Sequence, residues 1–389
     1  MKSWKIGVLL SYISVASASA AIITPALPAI EKSLGVGHGA VEWIVSIFLI
    51  GYMLGQFIYS PMANRFGRLK ALRIGMAINI LGILVCLIGS AENSYIILLV
   101  GRLVTSLGAS AGLSCTFMLI NESLSSDRAK HALSFSAVSF TVGIGLAVVL
   151  GGMISHYLRW EDCFWFLLVH GVIMLGLTCL FKETLQKPIK ASLVTIFKSY
   201  GEALCHKKLF IFAACVGLVS VFSYCFAAAA PFIAQNILHL NAADYGYWNI
   251  LNMVGMFCGA FVASRLIKKY ESMQILLAAI TIIILGFIVM GIFSVTGTLT
   301  TIGFFGITTI AYFVSSWIFP TASHIASNAI DCKANASGAM NFINMGSAVL
   351  MVAIMGYLPF EALWGFIGVV MVFAVLCFVG VVAFSRSEG

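Results

Sequence analysis

The chain has 389 residues, 61% of them apolar and 9% charged, with a formal net charge of +8. Ordinary soluble domains carry about 25% charged residues, so this composition excludes a soluble globular chain and leaves an integral membrane protein. Its ten cysteines do not form a disulfide framework. Cys86, Cys115, Cys179, Cys215, Cys225, Cys258 and Cys377 sit inside apolar runs and no C-x-x-C pair occurs, so they read as small packing residues.

Runs of about 20 apolar residues predict membrane-spanning helices. Twelve follow one another, near 6–30, 40–63, 72–90, 95–120, 132–156, 163–182, 209–234, 246–267, 273–294, 298–325, 335–357 and 362–384. Each is too long for a barrel strand of about 9–11 residues and lacks two-residue alternation, so the expected class is all-α. In the first, Lys2 and Lys5 precede an apolar stretch ending in "ASASAA", which suits a cleavable leader. The apolar character then continues through Ile22, Ile23, Pro25 and Leu27 to Ile30, and a retained helix is expected.

The second run ends in "GQFIYSPMANRFGRLK", Gly55 to Lys70, where basic residues gather at one turn. The fourth carries Arg102, the one basic residue within a span. Glu42 enters the outer end of the second run and Glu122 the inner end of the fourth, and no Asp or Glu lies deep in a span. After six spans the hydrophobic pattern breaks between Glu183 and Lys208. This predicts an N-terminal bundle over 1–182, a linker over 183–208 and a C-terminal bundle over 209–389. The linker segment "LVTIFKSYGEAL" suits an amphipathic interfacial helix and equally a flexible loop; both stay open.

With the N-terminus inside, nineteen of the 22 basic residues fall on the cytoplasmic side, only Lys32 and Arg159 fall outside, and Arg102 is within a span. The positive-inside rule with an even span count then places both termini in the cytoplasm. The net charge reports topology and an anionic inner leaflet, and no nucleic-acid partner is expected.

The two halves repeat. A shift of 200 residues sets Met53 over Met253, Gly55 over Gly255, Phe57 over Phe257, Ala63 over Ala263, Arg65 over Arg265 and Arg68 over Lys268. Each copy contains a G-x-x-x-G, Gly51 with Gly55 and Gly255 with Gly259, of the kind that lets helix backbones approach closely. Duplicated six-span halves related by an axis along the membrane normal are expected.

Two six-span halves, a central basic loop and the Gly55–Lys70 stretch together resemble the major facilitator superfamily over essentially the whole chain. Within it the chain resembles the twelve-span drug/proton antiporters of the bicyclomycin- and chloramphenicol-resistance type. "TPALPAI" (24–30) is similar to the end of the first helix in that subgroup, where two prolines bend the chain. "GRLVTSLGASAG" (101–112) is similar to its fourth-helix motif, here Arg102 and Gly108. "GIGLAVVLGGMI" (143–154), followed by "LRWEDCFWF", is similar to its fifth-helix antiporter motif, here Gly143, Ala147, Val148, Gly151 and Gly152.

The resemblance implies that Gly55, Asn64, Arg65, Gly67 and Arg68 form a cytoplasmic latch. It also implies departures. Asn64 stands where the family usually has aspartate, Ala147 and Val148 where glycine and proline are expected, and Ala21 where the subgroup tends to place an aspartate. A weaker latch, a straighter fifth helix and an unidentified proton carrier follow.

As the deepest ionisable residue, Arg102 is the main functional candidate; helix locking is its alternative, through carbonyls of the first helix or through Glu42. Glu42 is the second proton-coupling candidate, or a simple interfacial carboxylate. His170 reads as a packed histidine and His324 as interfacial. The resembled fold lines a central cavity with spans one, four, seven and ten, and polar residues at helical spacing give the cavity candidates Ser14, Arg102, Ser106, Ser110, Tyr224, Asn249, Asn252, Tyr312, Asn341 and Asn344. Their alternative is helix-to-helix glue. Tyr52, Phe226, Trp248 and Trp317 join Tyr224 and Tyr312 as a possible aromatic wall or as interface anchors.

No P-loop and no metal-ligand cluster is legible, so no cofactor, metal or enzymatic role is expected. The expected function is alternating-access transport of a small organic molecule, exported against protons by a monomer in the inner (plasma) membrane. An importer or facilitator of a nutrient, siderophore or metabolite is the alternative, and a binding protein that moves nothing is the remote one.

Overall fold

The computed structural model describes residues 3–125, 128–129, 132, 136–185, 206–330 and 333–388. The segment read as an amphipathic helix or loop, and Lys2, Lys130, Lys187, Lys190 and Lys198, lie outside the described residues. The described chain is all-helical: α1 (Ser3–Ala21), a 3-10 turn (Thr24–Ala26), α2 (Leu27–Leu34), α3 (His38–Phe66), α4 (Arg68–Ala91), α5 (Tyr95–Ser123), α6 (Ser136–Tyr157), α7 (Asp162–Leu177), α8 (Lys207–Asn236), α9 (Ala242–Lys269), α10 (Ser272–Val295), α11 (Thr301–Ser327), α12 (Lys333–Tyr357) and α13 (Ala362–Glu388). Among the described residues twelve stretches are long and apolar enough to cross a membrane, the first being α1 and α2 taken together.

The first span breaks where its prolines fall. Pro25 has no N–H to return to the carbonyl of Ala21, and the Thr24 hydroxyl donates to that carbonyl instead, at 2.9 Å. The chain tightens into its 3-10 turn, with the Ala26 N–H donating to Ile23 O at 3.0 Å. Gly35, at φ +61°, then caps α2. The carbonyls set free at the end of α1 need donors, because an unsatisfied group inside a bilayer costs several kcal/mol.

The chain divides into two compact units, Met1–Leu193 with Asn241–Tyr247, and Val194–Leu240 with Trp248–Gly389. Within the first, α1 packs on α5 and α6, and α4 packs on α5 and α7. Within the second, α8 packs on α11 and α12, and α10 on α11 and α13, which are the same pairings one repeat later.

The glycine pairs show why the halves share these pairings. A Cβ on Gly51 or Gly55 would overlap the hydroxyl of Ser106 or Ser110 on α5. One on Gly255 would come within 2.6 Å of the Thr309 carbonyl, and one on Gly259 would overlap the Phe313 carbonyl, both on α11. Each G-x-x-x-G thus lets the second helix of its half lie against the fourth. The α4–α5 seam uses a different spacing. Gly75, Gly82 and Gly89 recur every seven residues on α4 and would meet α5 at Ala111, Thr105 and Leu98 if they carried side chains, the spacing of a seam along which two helices coil slightly about each other.

Candidate functional site

Arg102 lies two turns into α5 with no exposed surface. Its Nη1 donates to the carbonyl of Ser19 at 2.7 Å and its Nε to the carbonyl of Ile44 at 3.4 Å. The guanidinium carbon sits 4.4 Å from the centre of the Phe48 ring, a cation–π contact. Ser19 belongs to the last turn of α1, where carbonyls have lost their helical partners and carry the negative end of the helix dipole. The arginine therefore supplies a donor and a positive charge at the broken end of the first span. Among the described residues its Nη2 has no hydrogen-bond partner, and the buried hydroxyls of Ser19 and Ser46 beside the two accepting carbonyls have none either.

Glu42, on α3, is only 1% exposed. It lies on the first turns of α3, at the end of the span where the sequence places it, and is packed inside the first unit. Ser14 donates to the Ser11 carbonyl at 2.7 Å, and a Cβ on Gly143 would come within 2.9 Å of the Ser14 Cβ. Gly151 is held just as close to α1, since a Cβ there would overlap the Ile22 carbonyl. Ala147 and Val148 between them are buried, and α6 runs unbroken from Ser136 to Tyr157. Ser106 and Ser110 donate to Leu103 O and Leu107 O of their own helix at 2.9 and 2.7 Å, in the seam with α3.

At the other end of the first unit the basic turn is built around a single residue. Gly67 separates α3 from α4 at φ +114°, ψ 145°, a conformation almost confined to glycine. Its missing side chain leaves room for the carboxylate of Glu183, which accepts from the backbone N–H groups of Arg68, Leu69 and Lys70 at 2.8, 3.1 and 3.3 Å. A carboxylate on the first N–H groups of a helix neutralises its dipole and its orphan donors together. Arg68, 5% exposed, donates to Glu122 from Nε and Nη2 at 3.0 and 2.8 Å and to Ala63 O from Nη1 at 2.8 Å. Thr184 closes the ring by donating to the other Glu122 oxygen. Burial pushes the Glu183 carboxyl up, but the backbone donors of Leu185, Arg68, Lys70 and Thr184 outweigh it and hold the group below the usual carboxylate range.

Sequence reasoning did not assign Glu183 to this latch. The signal was available: it is the first acid after Asp162, at the head of a basic loop. Asn64 is half-buried one turn before Gly67, and Arg65 is exposed with its guanidinium over the Phe66 ring.

In the second unit Asn252 makes three side-chain hydrogen bonds. Its Nδ2 donates to Asn249 Oδ1 at 2.9 Å, and its Oδ1 accepts from Thr308 at 2.9 Å and Thr309 at 3.1 Å. Asn252 thus ties α9 to α11, and Asn249 braces it within α9. Asn341 is exposed, and Asn344 is buried with its Oδ1 unpartnered among the described residues. Tyr224 and Tyr312 are half-buried, and Tyr312 lies 4.7 Å from Phe222 and 5.7 Å from Phe226, ring centre to ring centre. His170 stacks on Phe166 within α7.

The sequence model described as Major Facilitator Superfamily matches residues 9–352. The chain belongs to that superfamily. Multidrug resistance protein D of Escherichia coli (strain K12) is 23% identical over 353 residues, 88% of this chain and 86% of that protein. MFS-type transporter tstD of Talaromyces stipitatus is 32% identical over 171 residues, 43% of this chain, and the chain spans only 30% of that relative's length. The crystal structure of a D-xylose–proton symporter superposes with a TM-score of 0.75 at 13% identity, covering 96% of both chains, which shows a shared fold.

As a major facilitator chain the protein keeps the family's glycines and arginines at the Gly55–Lys70 turn but not its usual acid. The carboxylates that serve Arg68 and the start of α4 come from Glu122, in the last turn of α5, and from Glu183, in the chain that follows α7. The turn is therefore held within the first unit without a charge at Asn64.

Proposed function

We propose that the protein is a secondary transporter of the inner membrane, with both termini cytoplasmic, that exports a small organic molecule in exchange for protons by alternating access. The observation that carries this reading is the fully buried Arg102, spanning the carbonyls of Ser19 and Ile44 at the break in the first span. A charge at that depth costs several kcal/mol and is kept where it is used. Likeness to multidrug resistance protein D over 88% of the chain supports the export direction. Arg102 and Glu42 are the proposed coupling pair of the first unit. Asn341, Asn344, Tyr224 and Tyr312 are the proposed substrate-side groups of the second, while Ser14, Ser106, Ser110, Asn249 and Asn252 position the helices that carry them.

One observation favours the opposite direction: α6 is unbroken through Ala147 and Val148 and lacks the proline of the resembled exporters. Vesicles separate the two. Everted vesicles of matched expression should accumulate a probe such as chloramphenicol, bicyclomycin or ethidium when their interior is made acidic, and should lose their proton gradient as they do so. Arg102→Met should abolish both effects in a protein that still elutes as a folded monomer. Accumulation in right-side-out vesicles alone would replace export with import.

A further inference from the structure

A cavity of about 540 Å³ opens within the first unit where α1, the end of α5 and the chain after α7 meet. That volume lies within the roughly 300–1,000 Å³ of small-ligand sites. Its inner wall is apolar, with Leu9 and Leu119 each 1% exposed and Phe181 half-buried. Its mouth is cationic, carrying Lys5 and the exposed Lys182 beside Trp4. Lys5 Nζ spends one of its three donors on the Leu180 carbonyl, at 2.8 Å, and lies 5.5 Å from the centre of the Trp4 ring. Among the described lining residues the one acid, Glu183, turns its carboxylate to the backbone of Arg68, Leu69 and Lys70. Lys5 and Lys182 are thus the cationic side chains among the described lining residues.

We propose that this cavity binds the headgroup of an anionic phospholipid of the leaflet on the positive-inside face. The phosphate would sit between Lys5 and Lys182, and the first carbons of the acyl chains would lie on Leu9, Leu119 and Phe181. Charge complementarity selects this occupant. A tryptophan with lysines beside it marks the membrane interface, lysines near an anionic leaflet attract its lipids, and a cavity with cationic residues beside an apolar wall of Leu9, Leu119 and Phe181 suits an amphiphile better than a fully polar solute. The occupant would bridge α1, α5 and the start of the inter-bundle linker.

The test uses the purified full-length protein titrated with phosphatidylglycerol or phosphatidylcholine, with bound lipid counted by native mass spectrometry. Phosphatidylglycerol should be retained at least fivefold over phosphatidylcholine. The double variant K5Q/K182Q should bring the two to parity, while K268Q/K269Q, which removes the same charge from the end of α9, should leave the preference intact. L180W should cut retention by filling the apolar side without a change of charge. Equal loss in both lysine pairs would overturn the proposal in favour of diffuse attraction to the leaflet. So would an unchanged preference in K5Q/K182Q, or displacement of the lipid by millimolar inorganic phosphate alone.

Discussion

Gly67→Ala tests whether the turn between α3 and α4 and the Glu183 carboxylate form one device. At φ +114° an alanine costs about 1–3 kcal/mol in backbone strain. Its Cβ would also lie 2.7 Å from Glu183 Cδ, which pushes the carboxylate off the N–H groups of Arg68, Leu69 and Lys70. Loss of such a helix cap costs about 0.5–2 kcal/mol, and Glu183→Ala alone should show that part only. The two penalties overlap, because once Glu183 is gone the alanine has nothing to displace. The double variant should therefore be more stable than the sum of the single effects by the one cap that is counted twice, about 0.5–2 kcal/mol, within the usual coupling of contacting residues. Tryptophan-monitored thermal unfolding in detergent reads this as a midpoint shift of about 2 °C per kcal/mol for a cooperative unit of this size. Strictly additive midpoint shifts would refute the reasoning, since they would mean that Gly67 and Glu183 act independently.

Glu183→Gln adds a pH signature. The folded pKa of Glu183 is depressed, so its stabilising effect is present above the unfolded value of about 4.3 and is lost as pH falls through the folded value. The midpoint gap between wild type and variant should be widest near neutrality and close below about pH 4, and a gap independent of pH would count against the charge. Arg102→Lys keeps the charge but cannot fork between Ser19 O and Ile44 O, and Arg102→Met leaves both carbonyls without a donor, at about 1–3 kcal/mol each. Proton release in everted vesicles should fall in the order wild type, lysine, methionine. Gly55→Val should unfold the α3–α5 seam by more than the 1–3 kcal/mol of ordinary overpacking, because a Cβ there meets both Ser110 and the Leu107 carbonyl, whereas Gly368→Ala, with open space around it, should leave the midpoint within about 1 °C.

The twelve spans were legible because apolar length is a property of each segment alone, and the observed helices lie within a few residues of the expected runs. The bend in the first span was legible too, from the prolines of "TPALPAI". What the sequence concealed depends on partners. A carbonyl of the first helix was an expected acceptor for Arg102 and Ser19 supplies it, but the second acceptor, the Ile44 carbonyl, leaves no trace in residue identity. The serines at 106 and 110 carry the same spacing whether they face a cavity or a neighbouring helix, and only the register against Gly51 and Gly55 decides. Glu42 sits near the start of a helix, where sequence suggests an interface, yet packing buries it.

The duplicated turn shows where the halves have parted. In the first, Gly67 ends α3 and a new helix begins at Arg68. In the second, the matching position is Ile267, which favours helix, and α9 runs on to Lys269 before α10 starts at Ser272. The basic residues differ in the same sense. Arg68 needs a planar fork to reach Glu122 and Ala63 together, and Lys268 in the other half is a single point charge that cannot make both contacts. One glycine thus decides whether the repeat makes a sharp, carboxylate-capped turn or a continuous helix end. The two copies therefore end their second helices differently: a carboxylate-held turn at Gly67 in the first unit, and a helix that runs on to Lys269 in the second.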